Sequence, residues 1–456
     1  MAVCTTTSAS QLQSSFVRLD AEFFRPEYMA AARRLNSIPG ATQLGRVASR
    51  ITQGSNPQFV ASGLPCVNGK NVYFGTMLEG EPNYVSAQEF ERLSGYALRR
   101  NDLVITLKHA TKVGRVWIVE DDEPRIFSRN VGLIRLREDT PIRHSVLLLY
   151  LWTKAGQLLI DRCATGGTTG QITLPMSELR RVPIPPITDE DQDEIDALFS
   201  QSRKSAAFAA SQYAAACRLL ESELGLDKLT FLKPVGYVAN FSDLETSLRS
   251  DAQHYQPRFK QLIDHLSRFP SARVRDIRKR NRRGLQPIYV RNGRVAVVNS
   301  QHLGPQHIDY DGLEKTSTNE FAAAPEAHIQ KDDLLIYTTG AYIGRTNVYL
   351  SDAPAMASNH VNIVRLHPGI DAAYMALVFQ SIVGQFQTQQ HARGSAQAEL
   401  YPSDIDRFVV PLLDGGKQKA IGDLLRESLV KQQESRTLLE QAKTRVEQLI
   451  EAAVQP

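Results

Sequence analysis

NDLVITLKHATKVGRVWIV (Asn101–Val119) occurs a second time, in altered form, as DDLLIYTTGAYIGRTNVYL (Asp332–Leu350). Asp102 meets Asp333, Gly114 meets Gly344 and Arg115 meets Arg345, at an offset of 230 to 231 positions. Each version reads as apolar strand, polar loop, Gly-Arg pair and apolar strand. A repeat period governs a whole architecture, so what flanks the block matters as much as the block itself. Upstream, DAEFFRPEY (Asp20–Tyr28) matches DAQHYQPRF (Asp251–Phe259), and CVNGKN (Cys66–Asn71) matches VVNSQH (Val297–His302). Downstream, SRNVGLIRL (Ser128–Leu136) matches SNHVNIVRL (Ser358–Leu366). At an offset of 226, SELRRVPIP (Ser177–Pro185) matches SDIDRFVVP (Ser403–Pro411), after which Gln192, Ile195 and Leu198 meet Gln418, Ile421 and Leu424. The chain is two copies of a unit of about 230 residues, with the boundary between Leu224 and Asp243.

Each copy closes on a Pro-rich strand exit followed by a long Pro-free segment. In the first, Ile195, Phe199, Ser202, Ala206, Ala209, Tyr213, Ala216 and Leu220 recur by alternating fours and threes, the seam of a helix that packs on another helix. The second keeps the phase with Ile421, Leu425, Ser428, Gln432, Ser435, Leu439, Ala442, Val446 and Leu449. Ala and Ser on the seam let a partner approach closely, and two helices of equal phase in one chain suit each other. The expected fold is therefore α+β: two similar domains, residues 1–187 and 226–412, separated by a pair of long antiparallel coiled-coil helices, 188–225 and 413–456, with an internal pseudo-two-fold repeat. At 1.5 Å per residue such a helix is a rod of roughly 50 Å.

Composition narrows the function by exclusion. The 456 residues are 42% hydrophobic and 22% charged, too apolar for disorder. Lys and Arg exceed Asp and Glu by 53 to 49, a bias too small to name a partner. Cys4, Cys66, Cys163 and Cys217 form no CxxC pair, which argues against a disulfide framework and a thiolate metal site. MAVCTTTSASQLQSSF lacks the charged start and apolar core of a leader, and the most apolar run, Ser145–Trp152, is too short to span a bilayer, so a cytoplasmic protein is expected. Catalytic signatures are missing. No Asn/Asp-Pro-Pro-aromatic tetrapeptide marks a DNA methyltransferase, and GLPCVNGKN (Gly63–Asn71) fails the phosphate-loop pattern in spacing and in its last residue. Histidines form no HxxxH pair, and no metal site is expected.

Nucleic acid is the partner the remaining features favour. Between Arg273 and Arg294 nine Arg and Lys residues, Arg280, Arg282 and Arg283 among them, face the single acid Asp276, a density suited to phosphate neutralisation. The corresponding first-copy stretch carries Arg46, Arg50, Gln53 and Asn56 with no acid between Arg46 and Leu78. The repeated strand-loop-strand offers Lys108, His109, Thr111, Lys112 and Arg115 in one copy and Thr338, Thr339, Tyr342 and Arg345 in the other: a frame that repeats and tips that differ. The Gly114-Arg115 and Gly344-Arg345 pairs read as scaffold or phosphate anchors. Lys70, Asn71, Gln301, His302, Arg129, Arg393 and, in GGTTG, Thr168 and Thr169 complete the candidate DNA-binding set. Ile195, Phe199, Tyr213, Leu220, Ile421, Leu425, Leu439 and Val446 are the candidate helix-pair interface. The competing reading is a coiled-coil assembly protein whose globular parts bind protein, but such an adaptor has little use for Arg280, Arg282 and Arg283 without an acid among them.

The whole pattern resembles the specificity subunit of type I restriction-modification systems. CVNGKN, the block ending VGRVWIV or IGRTNVYL, SRNVGLIRL or SNHVNIVRL, the junction GQITLPMSELRRVPIPPITDEDQDEI and the long helix after it carry the resemblance, which covers essentially the whole chain. The family implies that each globular unit is a target recognition domain for one half of a bipartite, asymmetric double-stranded DNA site. It also implies that the helix pair sets the spacing and binds two methyltransferase subunits, that restriction subunits are able to join, and that S-adenosylmethionine belongs to the methyltransferase rather than to this chain. One departure is visible: Gly415 and Gly416 stand in the second junction where the first has Thr188–Asp191.

Overall fold

The computed structural model describes residues 18, 20–73, 82–166, 170–231, 234–394 and 397–454. The chain divides into two compact units, residues 1–204 with 434–456 and residues 205–433.

In the first unit, α1 (Pro26–Asn36) is followed by β1 (Ala48–Gln53), β2 (Leu64–Val67), β3 (Asn83–Val85), β4 (Leu103–Thr106), β5 (Val116–Ile118), β6 (Ile126–Phe127), β7 (Val131–Leu136), α2 (His144–Trp152), α3 (Lys154–Cys163) and the start of α4 (Asp189–Leu224). The strands form a four-stranded sheet in the order β1-β7-β4-β5 and a three-stranded sheet in the order β3-β2-β6, in which β2 and β6 run parallel. β4 and β5 are buried throughout, as a strand covered on both faces must be. The apolar run Ser145–Trp152 is α2, a helix with no polar face that lies wholly in the core. No helix among the described residues is long and apolar enough to cross a membrane.

The second unit repeats this plan. It contains α5 (Pro257–Leu266), β8 (Arg278–Arg283), β9 (Val295–Val298), β10 (Glu314–Thr316), β11 (His328–Ile329), β12 (Leu334–Tyr337), β13 (Thr346–Val348), β14 (Ala355–Ala357), β15 (Val361–Leu366), α6 (Ala372–Gln380), α7 (Ile382–His391) and the start of α8 (Gly415–Val454). Its sheets run β8-β15-β12-β13 and β10-β9-β14-β11, again with a parallel pair, β9 with β14. Even a register shift recurs, between Ala48 and Arg50 opposite β7 and between Arg278 and Arg280 opposite β15.

The matching sequence blocks are matching supports. Asp102 takes a two-pronged ion pair from Arg135, both contacts 2.7 Å, and Asp333 takes the same pair from Arg365 at 2.7 and 2.8 Å. Each aspartate is buried and also accepts the backbone N–H three residues before it. Arg18 donates to the carbonyls of Cys163 and Ala164 at the end of α3, and Arg249 to those of His391 and Ala392 at the end of α7, where a cation meets the negative helix terminus. In the Pro-rich exits, Tyr150 Oη donates to Pro183 O at 2.5 Å and Tyr374 Oη to Pro411 O at 2.9 Å. Gln192 and Gln418, both buried, each tie the first turn of a long helix to the loop before α2 or α6.

Seam residues of both long helices lie in the two unit cores. Within the first unit Ile195, Phe199, Ala442 and Val446 are buried with α1 and α3 in one core, and Leu439 packs against it. Within the second, Leu220, Ile421 and Leu425 are buried and Tyr213 packs against that core, its hydroxyl donating to Gln380 Oε1 at 3.0 Å. In each unit the start of one long helix lies on the end of the other, so the helices run antiparallel: Arg445 bridges Asp191 at 2.8 Å and Glu194 at 2.9 Å, and Lys417 bridges Glu223 at 2.6 Å. The seam serines hydrogen-bond across the pair. Ser202 Oγ donates to Ser435 O at 2.7 Å in the first unit, and Ser428 Oγ donates to Ala209 O at 2.8 Å in the second. These four positions are related by the offset of 226, so one bond is the other with the helices exchanged.

α8 starts firmly despite Gly415 and Gly416. Asp414 Oδ1 accepts the N–H of Lys417 at 3.1 Å, the service that Thr188 Oγ1 gives Asp191 N at 3.2 Å in the first copy.

Candidate nucleic-acid interface

In the first unit a chain of hydrogen bonds draws five segments together beyond the ends of the central sheet. Gln53 Nε2 donates to Arg129 O at 2.5 Å, and Arg129 N to Ser55 O at 2.6 Å. Leu107 N donates to Asn130 O at 2.8 Å, and a Cβ on Gly69 would rest 3.6 Å from Lys108 O. Lys108–His109 is a short strand paired with Ile172–Thr173, which pairs in turn with Thr165–Gly166. Gln53, Lys70, Lys108, His109 and Arg129, scattered over the sequence, therefore belong to one surface. Thr168 and Thr169 lie outside the described residues.

Lys70 and Gln301 occupy the same place in the same turn. Asn68–Asn71 and Asn299–His302 are one-turn caps in which the fourth side chain accepts the first residue's N–H, Asn71 Oδ1 from Asn68 and His302 Nδ1 from Asn299, both at 3.0 Å. Asn71 and His302 are 4% and 3% exposed, so they are corrected from readers to supports. Lys70 and Gln301 between them are exposed. The signal for this division was in the sequence, as Asn-x-x-Asn and Asn-x-x-His at one offset.

The strand-loop-strand tips divide similarly. Gly114 and Gly344 have φ of +79° and +85°, and a Cβ at either would overlap Ile160 Cγ2 or Thr388 Cγ2. This close approach seats the loop on α3 or α7. Arg115 stacks over Tyr73 at 4.8 Å, its Nε and Nη2 buried without a hydrogen-bond acceptor among the described residues. Arg345 stacks over the exposed ring of Tyr342 at 3.7 Å. His109 Nδ1 accepts the backbone N–H groups of Thr111 and Lys112 at 3.1 and 3.3 Å. Burial, and after it the charge of Arg115, lower the His109 pKa, so the ring is the neutral acceptor this turn requires. Lys112 pairs with Asp161 at 3.8 Å. Thr338 and Thr339 are corrected: both are buried, and Thr338 Oγ1 donates to His360 O at 2.9 Å.

The middle of the basic run is an edge strand, β8, and tertiary contacts occupy part of it. Asp406 arrives from the second junction to pair with Arg278 through two contacts of 2.8 Å. Arg280 donates to Glu326 O, and Arg283 to Leu400 O at 3.0 Å while lying over Tyr401 at 4.9 Å. Arg393 is likewise corrected to a structural cation, pairing with the buried Asp404 at 2.7 Å. Arg273, Arg275, Lys279, Arg282, Arg291 and Arg294 are the exposed cations of the run, of which Arg275 pairs with Asp276 at 3.4 Å.

Among the described residues no group of three His, Cys, Asp or Glu side chains is placed to hold a metal. Cys66 and Cys163 are buried, and burial pushes both thiols up to about 12, far from the range of a thiolate nucleophile. The surface as built positions cations, amides and rings.

No protein-family model matches the chain, and neither does any curated protein sequence. Among solved structures it is similar to the S subunit of a type I restriction-modification system from M. genitalium, at 13% identity and a TM-score of 0.49, over 92% of this chain and 97% of that one. It is also similar to the HsdS subunit from Thermoanaerobacter tengcongensis, at 15% identity and a TM-score of 0.29 over 91% and 95% of the two chains. A structure concerned with complex assembly and conformational transition of the type I R-M system gives 13% identity and a TM-score of 0.31 over 92% and 97%.

Proposed function

We propose that this chain is the DNA-reading, non-catalytic specificity subunit of a type I restriction-modification complex. Each unit reads one half of a bipartite double-stranded site, and the helix pair sets the spacing of the halves and carries two methyltransferase subunits. Restriction subunits join the same assembly, and S-adenosylmethionine is bound by the methyltransferase.

The observation that carries this reading is one frame presented twice with unlike exposed tips. The buried caps Asn71 and His302 hold Lys70 in one unit and Gln301 in the other at the same position of the same turn. A lysine at a major-groove edge suits the O6 and N7 acceptors of guanine, and a glutamine pairs with adenine. Two such readers on equivalent frames require two unlike half-sites, hence an asymmetric, interrupted target. Exposed Arg129 and Arg282, with no ion pair among the described residues, supply the sequence-independent attraction to phosphate.

Co-expression with a type I methyltransferase subunit from the same genome, followed by single-molecule mapping of methylated bases, tests the proposal. The expected result is one interrupted, asymmetric motif that vanishes when this chain is omitted. Methylation that persists unchanged without the chain, or a purified complex with no affinity for DNA, overturns it in favour of a protein-binding adaptor.

A further inference from the structure

One repeated block lies outside those that mark the duplication. GSNPQFVASG (Gly54–Gly63) matches GLQPIYVRNG (Gly284–Gly293) at an offset of 230, pairing Gly54 with Gly284, Pro57 with Pro287, Phe59 with Tyr289, Val60 with Val290 and Gly63 with Gly293. In each unit the loop leaves the central sheet after β1 or β8 and enters the second sheet at β2 or β9.

Its backbone is fixed in the same way twice. Gly54 N donates to Val131 O at 3.0 Å and Gly284 N to Val361 O at 2.9 Å; Val60 N donates to Tyr84 O at 2.9 Å and Val290 N to Lys315 O at 2.8 Å. A Cβ at Gly54, Gly63, Gly284 or Gly293 would overlap a carbonyl oxygen of the neighbouring strand or loop, so the frame lies flat against the fold. Both prolines are buried. Against this rigid support the rings point outward: Phe59 is 48% exposed, Tyr289 44% and Ile288 68%. An apolar tip held rigid in the open, in both copies, is arranged for contact.

The geometry points to this loop as a second DNA-contacting element in each unit, with Phe59 and Tyr289 as its apolar contacts to bases; the inference rests on the DNA-reading function proposed above. The surroundings favour a polyanion. The first loop lies in a stretch without Asp or Glu from Tyr28 to Leu78, and the second in one from Ile277 to Ile308. The acid that approaches the first loop, Glu89, accepts Gln58 N at 2.9 Å and is neutralised by Arg92 at 2.6 Å. Exposed Lys279, Arg282, Arg291 and Arg294 flank the second. Each loop also adjoins the turn that displays the reader. Tyr289 Oη donates to Asn299 Oδ1 at 2.9 Å, the residue that opens the Gln301 turn and whose amide donates to Glu314. In the first unit β2 runs from the loop directly into the Lys70 turn. Rings and aliphatic groups so placed meet thymine methyls or wedge between base steps, while the flanking cations take phosphates. Gln58 and Ile288 occupy one position with opposite chemistry, which adds to the difference between the half-sites.

Complexes carrying Phe59→Ala, Tyr289→Ala or Ile288→Gln are titrated by fluorescence anisotropy with the mapped target duplex and with duplexes scrambled in one half-site. Phe59→Ala should weaken target binding roughly tenfold, an effect that disappears once the first unit's half-site is scrambled, and the other two variants should do the same for the second half-site. Melting temperatures should stay at the wild-type value, because the rings are exposed. Affinities within about twofold of wild type on every duplex overturn the assignment while leaving the DNA reading intact. Unaltered DNA affinity with loss of methyltransferase from the complex overturns it as well, making the loop a protein-docking surface. A wild-type complex that binds no DNA removes both proposals.

Discussion

Arg282 and Arg283 are neighbours in the strand with different duties. Arg282 is exposed, whereas Arg283 is half-buried between Leu400 O and the ring of Tyr401. Arg282→Ala is expected to weaken binding to every DNA sequence and to lower the salt slope by about one, read from titrations at several ionic strengths. Arg283→Ala should instead lower the melting temperature of the chain without DNA. Lys70→Ala should relax one half-site of the methylation motif, and Gln301→Ala the other. Each such loss is worth about 1–3 kcal/mol of discrimination, seen as degenerate bases at one position of the mapped motif. Gly344→Ala forces a Cβ into Thr388 at a positive φ and should destabilise the second unit by about 1–3 kcal/mol in chemical denaturation.

Among the elements, the helix pair and the Asp–Arg supports decide stability. Ser202→Ala removes one buried cross-helix hydrogen bond and should destabilise by about 1 kcal/mol, and Ser202→Leu by more, because the close approach leaves no room for the larger side chain. Asp333→Ala leaves Arg365 without its buried counter-charge, and an expected loss of about 3–5 kcal/mol should appear as partial unfolding of the second unit in hydrogen exchange. The same change at Asp102 should act on the first unit. A variant pair with unequal effects would show that the repeated supports are not energetically equivalent.

For the molecule as a whole, acid stability follows from His391. Burial first, and then the neighbouring His254, with Arg407 and Arg249 adding to it and Asp404 opposing it, push its pKa down to about 4. The folded chain holds this ring neutral while the unfolded chain protonates it near 6.5. The stabilisation is therefore complete above that pH and is lost as pH falls from about 6.5 to 4, roughly 3 kcal/mol in all. Thermal denaturation across this range should show a steep fall in stability, shallower in His391→Gln. The thiols give a second whole-chain readout: Cys66 and Cys163 should resist alkylation at mildly alkaline pH until denaturant is added.

The sequence by itself determined the duplication, the seam of the helix pair and the position of the strand-loop-strand. These rest on local spacing: a period of 3.5 to 3.6 places Ile195, Phe199 and Ser202 on one face, and a fixed offset equates Asp102 with Asp333 whatever surrounds them. What only the tertiary structure decided is which polar residues face outward. Asp406 lies 128 positions from Arg278 and Asp404 lies 11 from Arg393, yet both carboxylates consume cations that composition alone counted as free. Asn71, His302 and Thr338 carry the same donors and acceptors as their exposed neighbours, and their satisfaction by Asn68, Asn299 and His360 is a matter of packing. A buried polar group must find a partner, but nothing in its own residue type says that it is buried. Conversely, the residue types of Phe59 and Tyr289 suit a core, and it is a frame of glycines and backbone hydrogen bonds that holds them in the open.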